Sequence, residues 1–137
     1  MITNRHYAAV EAGGTKFRVA VARGRDIVAN TTIPTTTPDE TLGATVDFIR
    51  EWGTVDAVGI ASFGPLDLDR SSPTYGSITS TPKPDWSDTP VLATIRRQLG
   101  VPASIDVDAV SYTHLRAHET VLVISYAVFC LKKGGGG

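Results

Sequence analysis

The sequence predicts an α/β layered half-domain with a hairpin-rich start, and three observations carry that prediction. Two β-rich, roughly alternating stretches, "HYAAVEA" and "FRVAVA", flank a Gly-Gly-Thr-Lys turn at residues 13–16, which is the pattern of a hairpin. A helix-start signal, "TTTPDET", follows a third stretch rich in β-branched residues. "DAVGIAS", residues 56–62, is a short apolar run of the kind found in strands buried on both faces.

The third strand is "DIVANTTI", reached through the charged turn "RGRD". The first helix opens with Thr37 as N-cap and Pro38 at the first helical position, with Asp39 and Glu40 in the turn where the helix dipole favours negative charge. Leu42, Val46, Ile49 and Trp52 recur at three- and four-residue steps, so one stripe of this helix faces a core, and Gly53 ends it. Lying between the third strand and "DAVGIAS", the helix makes a crossover unit. From Phe63 to Trp86 the composition turns to Gly, Pro, Ser and Thr, which signals a long loop or hairpin excursion of the kind that is functional when it sits in a compact domain. A second helix is expected from about Thr89 to Leu99, closed by Gly100, and "PASIDVDA" reads as a last strand ending in carboxylates.

A chain of 137 residues with net charge −1 and 42% apolar residues reads as one ordinary globular domain, with no charge excess to suggest a nucleic-acid or membrane-surface partner. Its single cysteine, Cys130, excludes an internal disulfide framework. The first residues show no basic-then-apolar leader, so a cytoplasmic location is expected. The apolar run at residues 121–131 is too short to span a bilayer as a helix.

Four features could carry chemistry. In the turn, glycine lets backbone N–H groups approach an anion and Lys16 adds a mobile positive charge. Neither the Walker A spacing nor the dinucleotide fingerprint is present, so a phosphate here would be held by a hairpin without a helix N-terminus behind it. A Gly-Gly hairpin is also the ordinary solution wherever φ must be positive. Gly64-Pro65 follows a buried strand, and α/β proteins place ligands beyond the C-terminal ends of strands, although the pair also serves as simple punctuation. "TPKPDW", residues 81–86, is a loop stiffened by two prolines that presents Lys83 and Trp86; the indole either caps a small polar ligand or pins the loop to the core. Asp106 and Asp108 alternate onto the same face, where they could share a metal, divide base and orienting roles, or merely solubilise a strand end.

In their order and spacing, "EAGGTKFRVAV", "PTTTPDETL", "VGIASFGPLDLD", "TYGSITSTPKPDW" and "IDVDA" resemble the N-terminal half of a ROK-family fructokinase, within the actin-like ATPase/sugar kinase superfamily, over about Tyr7 to Ala109. The resemblance implies a truncated ribonuclease H-like (actin/hexokinase-type) N-terminal lobe, a mixed five-stranded sheet with helices. It further implies ATP- and Mg2+-dependent phosphorylation of fructose, or a related hexose, at the 6-hydroxyl. Gly13, Gly14, Thr15 and Lys16 would then address the ATP phosphates, and Glu11 would lie near magnesium where most relatives carry aspartate. Asp108 rather than Asp106 falls on the position of the catalytic base, and Gly64, Pro65, Thr81 and Lys83 fall near the sugar. A homodimer and a zinc site belong, by the same resemblance, to the full-length parent. The family also includes sugar-responsive repressors, which carry a helix-turn-helix ahead of the first strand, and the few residues before His6 leave no room for one. A non-catalytic sugar-binding lobe is the remaining alternative.

After Asp108-Ala109 the resemblance stops, where a relative would continue with an asparagine, alanines and a second glycine-rich loop. His114 and His118 lie four apart beside Glu119, a spacing that on a helix puts both imidazoles on one face, but no neighbouring motif supplies a third metal ligand. "VSYTHLRAHET" instead resembles a translated sequencing adapter, and "KKGGGG" looks like homopolymer codons. Residues 110–137 are therefore expected to be a non-native tail on a lobe formed by residues 1–109, and the chain as written an inactive, poorly soluble fragment.

Overall fold

A computed structural model describes residues 5–23 and 26–107. Seven elements run in the order β1 (His6–Ala12), β2 (Lys16–Arg23), β3 (Asp26–Pro34), α1 (Pro38–Trp52), β4 (Ala57–Ser62), α2 (Val91–Leu99) and β5 (Ala103–Val107). The strands form one mixed sheet in the order β3-β2-β1-β4-β5. β1, β2 and β3 pair antiparallel as a meander, whereas β4 joins β1 in parallel and β5 joins β4 in parallel. Helix α1 thus carries the chain past β2 and β1, so that β4 docks on the far edge of β1 and the crossover spans two strands.

Alternation divides the sheet into two unlike faces. Ala8, Val10 and Ala12 lie opposite Val21, Val19 and Phe17, and Val58, Ile60 and Ile105 continue the same apolar face across β4 and β5. The helices seat Leu42, Ile49, Leu92 and Ile95 on it as one buried cluster. Ala9, Ala20, Ala22, Gly59 and Ala61 make the other face, together with the longer Glu11 and Arg18. All six residues of β4 are buried, in keeping with a sequence that is apolar up to the terminal Ser62.

The caps follow the sequence signals closely. The Thr37 hydroxyl accepts the Glu40 N–H at 3.3 Å, Pro38 opens α1, and Gly53 N–H closes it on the Ile49 carbonyl. Helix α2 begins at Val91, two residues later than expected. Pro90 disfavours helical geometry at Thr89, whose carbonyl accepts instead from Ile78 N–H and binds residue 89 into the preceding loop. Gly100 then ends α2 in the left-handed region, at φ 68°.

The long segment between β4 and α2 is an ordered excursion. Leu66 and Ile78 form an isolated antiparallel bridge. Around it, the Asp67 carboxylate accepts the hydroxyls of Ser72 at 2.6 Å and Thr74 at 2.5 Å and the N–H of Asp69 at 3.1 Å. Among the described residues no helix is long and apolar enough to cross a membrane.

Candidate active site

One end of the sheet collects the residues that the sequence singles out. β1 and β4 end there at Ala12 and Ser62, β3 ends there opposite Lys16, and the β1–β2 turn lies between them. The Phe63 N–H donates to the Ala12 carbonyl at 2.8 Å, which places Gly64-Pro65, joined by a cis peptide bond, immediately beside the turn. This is the C-terminal end of the parallel strands, the position where open α/β sheets receive ligands.

The turn is held from two sides. Gly13 N–H donates to the Lys16 carbonyl at 3.0 Å, closing the hairpin. A Cβ at residue 13 would stand 2.7 Å from that carbonyl oxygen, so glycine is required by close approach. Positive φ is not the reason: among the described residues it occurs at Gly53, Gly76 and Gly100, with Asp85 and Asp88 the non-glycine cases. From outside, the buried Thr35 donates its hydroxyl to the Gly13 carbonyl at 2.8 Å and its N–H to the Thr15 carbonyl at 3.0 Å. Sequence reasoning missed Thr35, because nothing in the run "TTT" distinguishes the residue that clamps the turn from its neighbours.

Glu11 sits one strand position before the turn, on the sheet face away from the helices. Arg18 Nε lies 3.9 Å from its Oε1, and the register Glu11–Ala61–Asp106 puts a second carboxylate on the same cross-strand row. Asp106 Oδ1 accepts the Val107 N–H at 2.7 Å. Asp108 lies outside the described residues, as do His114, His118, Glu119 and Cys130.

The remaining candidates are brought together through Pro65. Its carbonyl accepts both the N–H of Thr79, at 2.8 Å, and the Thr79 hydroxyl, at 3.2 Å, and two residues on stands Thr81. The Thr81 hydroxyl accepts the Lys83 N–H at 3.3 Å, and Ser87 Oγ bonds both the N–H and the carbonyl of Thr81, so the loop is braced internally. Trp86, left open by the sequence as cap or pin, is a pin. It is fully buried, packs against Phe17 and Phe63 at centroid distances of 5.6 and 5.8 Å, and donates its indole N–H to the Thr36 carbonyl at 2.8 Å.

The donor set of the turn suits a polyphosphate. Gly14, Thr15 and Lys16 are consecutive and exposed, offering a backbone without a side chain, a hydroxyl and an ammonium. Glu11 and Asp106 supply hard oxygen chemistry of the kind that holds magnesium through water.

The sequence profile of the ROK family matches residues 7–125. The chain belongs to the ROK family. Its relatives include a fructokinase of Zymomonas mobilis subsp. mobilis, 45% identical over 108 residues that make up 74% of this chain and 36% of the relative. A fructokinase of Streptococcus mutans serotype c is 38% identical over 134 residues, 95% of this chain and 46% of the relative. The ROK chain therefore spans less than half the length of these curated relatives. Among solved structures, a ROK-family glucokinase from Streptomyces griseus in complex with glucose and AMPPNP superposes with a TM-score of 0.62 at 25% identity, covering 79% of this chain and 35% of that one. The five-stranded mixed sheet with its two helices is accordingly the actin/hexokinase-like lobe that the resemblance implies.

Proposed function

We propose that residues 7–109 are the first lobe of a kinase that transfers the γ-phosphoryl group of ATP to the 6-hydroxyl of fructose. The observation that carries this reading is the juxtaposition, at one end of the sheet, of the Gly13–Lys16 turn with the Gly64-Pro65 and Thr81–Lys83 loops. The identity to proteins named fructokinase favours fructose over other hexoses.

In this reading the turn binds the phosphates of the nucleotide, with the Lys16 ammonium against their negative charge. Glu11 orients magnesium, which when bound neutralises charge on the phosphates. Gly64, Pro65, Thr81 and Lys83 position the sugar. Asp108 accepts the proton of the attacking hydroxyl, a contribution of about 10²–10⁴-fold for a positioned general base. The hexose-binding and phosphate-binding groups all come from loops braced on one rigid sheet, the arrangement that lets positioning lower a barrier.

The test is a chimaera in which residues 7–109 replace the matching segment of the Zymomonas mobilis fructokinase, assayed with fructose, ATP and magnesium. Turnover that Asp108→Asn within the transplanted segment abolishes supports the reading. A folded chimaera that binds neither fructose nor Mg-ATP would refute it.

A further inference from the structure

Trp86 and Thr35 serve two different loops, yet their hydrogen bonds meet in one short segment. The indole of Trp86 donates to the Thr36 carbonyl, and the residue before, Thr35, grips the turn at both the Gly13 and Thr15 carbonyls. A second route runs through the rings, since Trp86 packs on Phe17, the neighbour of Lys16, and on Phe63, the neighbour of Gly64. The backbone is committed on both sides of the indole: Asp85 and Asp88 are held at φ 73° and 63°, a region that non-glycine residues seldom occupy unless their surroundings impose it. The Asp88 N–H is in turn fixed on the Thr79 carbonyl at 2.9 Å.

We infer that Trp86 and Thr35 are positioning residues forming one strut, through which the loop at residues 79–88 and the turn at residues 13–16 move as a single body. Resting on the proposed kinase reading, this means that a hexose settling against Thr81 and Lys83 stiffens the phosphate turn, and nucleotide on the turn stiffens the hexose loop. Neither residue needs to touch a ligand for that. Coupling of this kind is reciprocal, so a disturbance at either end must be felt at the other.

The test is amide hydrogen exchange followed by NMR on the full 137-residue chain and two conservative variants. Trp86→Phe keeps a ring against Phe17 and Phe63 but removes the donor to Thr36, and Thr35→Val removes the hydroxyl with little change of shape. Trp86→Phe is expected to speed exchange at the Gly13 and Thr35 amides by about fivefold, the loss of a typical single hydrogen bond, while the α2 amides hold. Thr35→Val is expected to speed exchange at the Trp86 indole and the Asp88 amide, and Thr35→Ser to restore them. If Trp86→Phe loosens residues 79–88 and leaves Gly13 and Thr35 unchanged, the strut does not exist. Titration of the unsubstituted chain with fructose and with Mg-ATP then tests the kinase reading separately, because the exchange result stands whether or not either ligand binds.

Discussion

Gly76 lies so close to Leu92 that a Cβ built on it would stand 2.4 Å from the Leu92 Cβ, and its φ of 85° is one that a side chain rarely tolerates. The contact joins the excursion after β4 to helix α2, and it is reinforced by the Leu92 N–H donating to the Gly76 carbonyl at 3.2 Å. Gly76→Ala therefore combines overpacking with backbone strain. We expect a loss of about 3 kcal/mol, read as a lower urea midpoint with an unchanged slope.

Gly43 presents the opposite case. It is exposed within α1, and a Cβ there meets nothing within 4 Å. Gly43→Ala should raise stability by about 0.5–1 kcal/mol, the difference in helix propensity between the two residues. Thermal melts of the two alanine variants should thus move in opposite directions.

The turn separates its two glycines. Gly13→Ala drives a Cβ toward the Lys16 carbonyl, whereas Gly14→Ala meets nothing within 4 Å. If the turn holds nucleotide phosphates, Gly13→Ala lowers Mg-ATP affinity in the fructokinase chimaera by about tenfold or more, as expected when a phosphate cradle is misshapen, and Gly14→Ala has a smaller effect. Isothermal titration of the two variants makes the comparison.

Asp67 ties the excursion to the pH. The Ser72 hydroxyl first, then the Thr74 hydroxyl and the Asp69 N–H, hold its carboxyl below the ordinary aspartate value. A depressed pKa in the folded state means that the ionised form is the one stabilised, so this contribution is fully present above the ordinary aspartate range. It is lost as the pH falls through the depressed value. The Ser72 and Thr74 amide resonances should shift on acidification into that range, and Asp67→Asn should remove the transition without unfolding α1.

Much of this was legible in the sequence because local chemistry decided it. Thr37-Pro38 and Gly53 mark α1 within a residue, since a side-chain cap and a chain break act on their own few neighbours. The meander reads from alternation for the same reason. The start of α2 was missed by two residues because the fate of the Thr89 carbonyl depends on Ile78, far back in the loop. Trp86 could not be assigned from "TPKPDW" alone, as an aromatic on a stiff loop suits a lid as well as an anchor. Its partners Phe17, Thr36 and Phe63 come from three other segments. The clamp of Thr35 on the turn was likewise invisible, being made between residues 22 apart in the chain.

The place of β1 in the sheet has a consequence for how the chain is made. Its first partner, β2, is synthesised directly after it, and the meander can close through local contacts as soon as β3 has emerged. Its other edge waits for β4, and at the outer end that edge is sealed only when His6 and Asp56, 50 residues apart, exchange hydrogen bonds. On the ribosome the strand that later sits at the centre of the sheet is for a time a sheet border, lined by Ala8 and Val10 and able to pair with any other extended segment. α1 is what ends that interval, because delivering β4 across the meander converts a sticky margin into an interior.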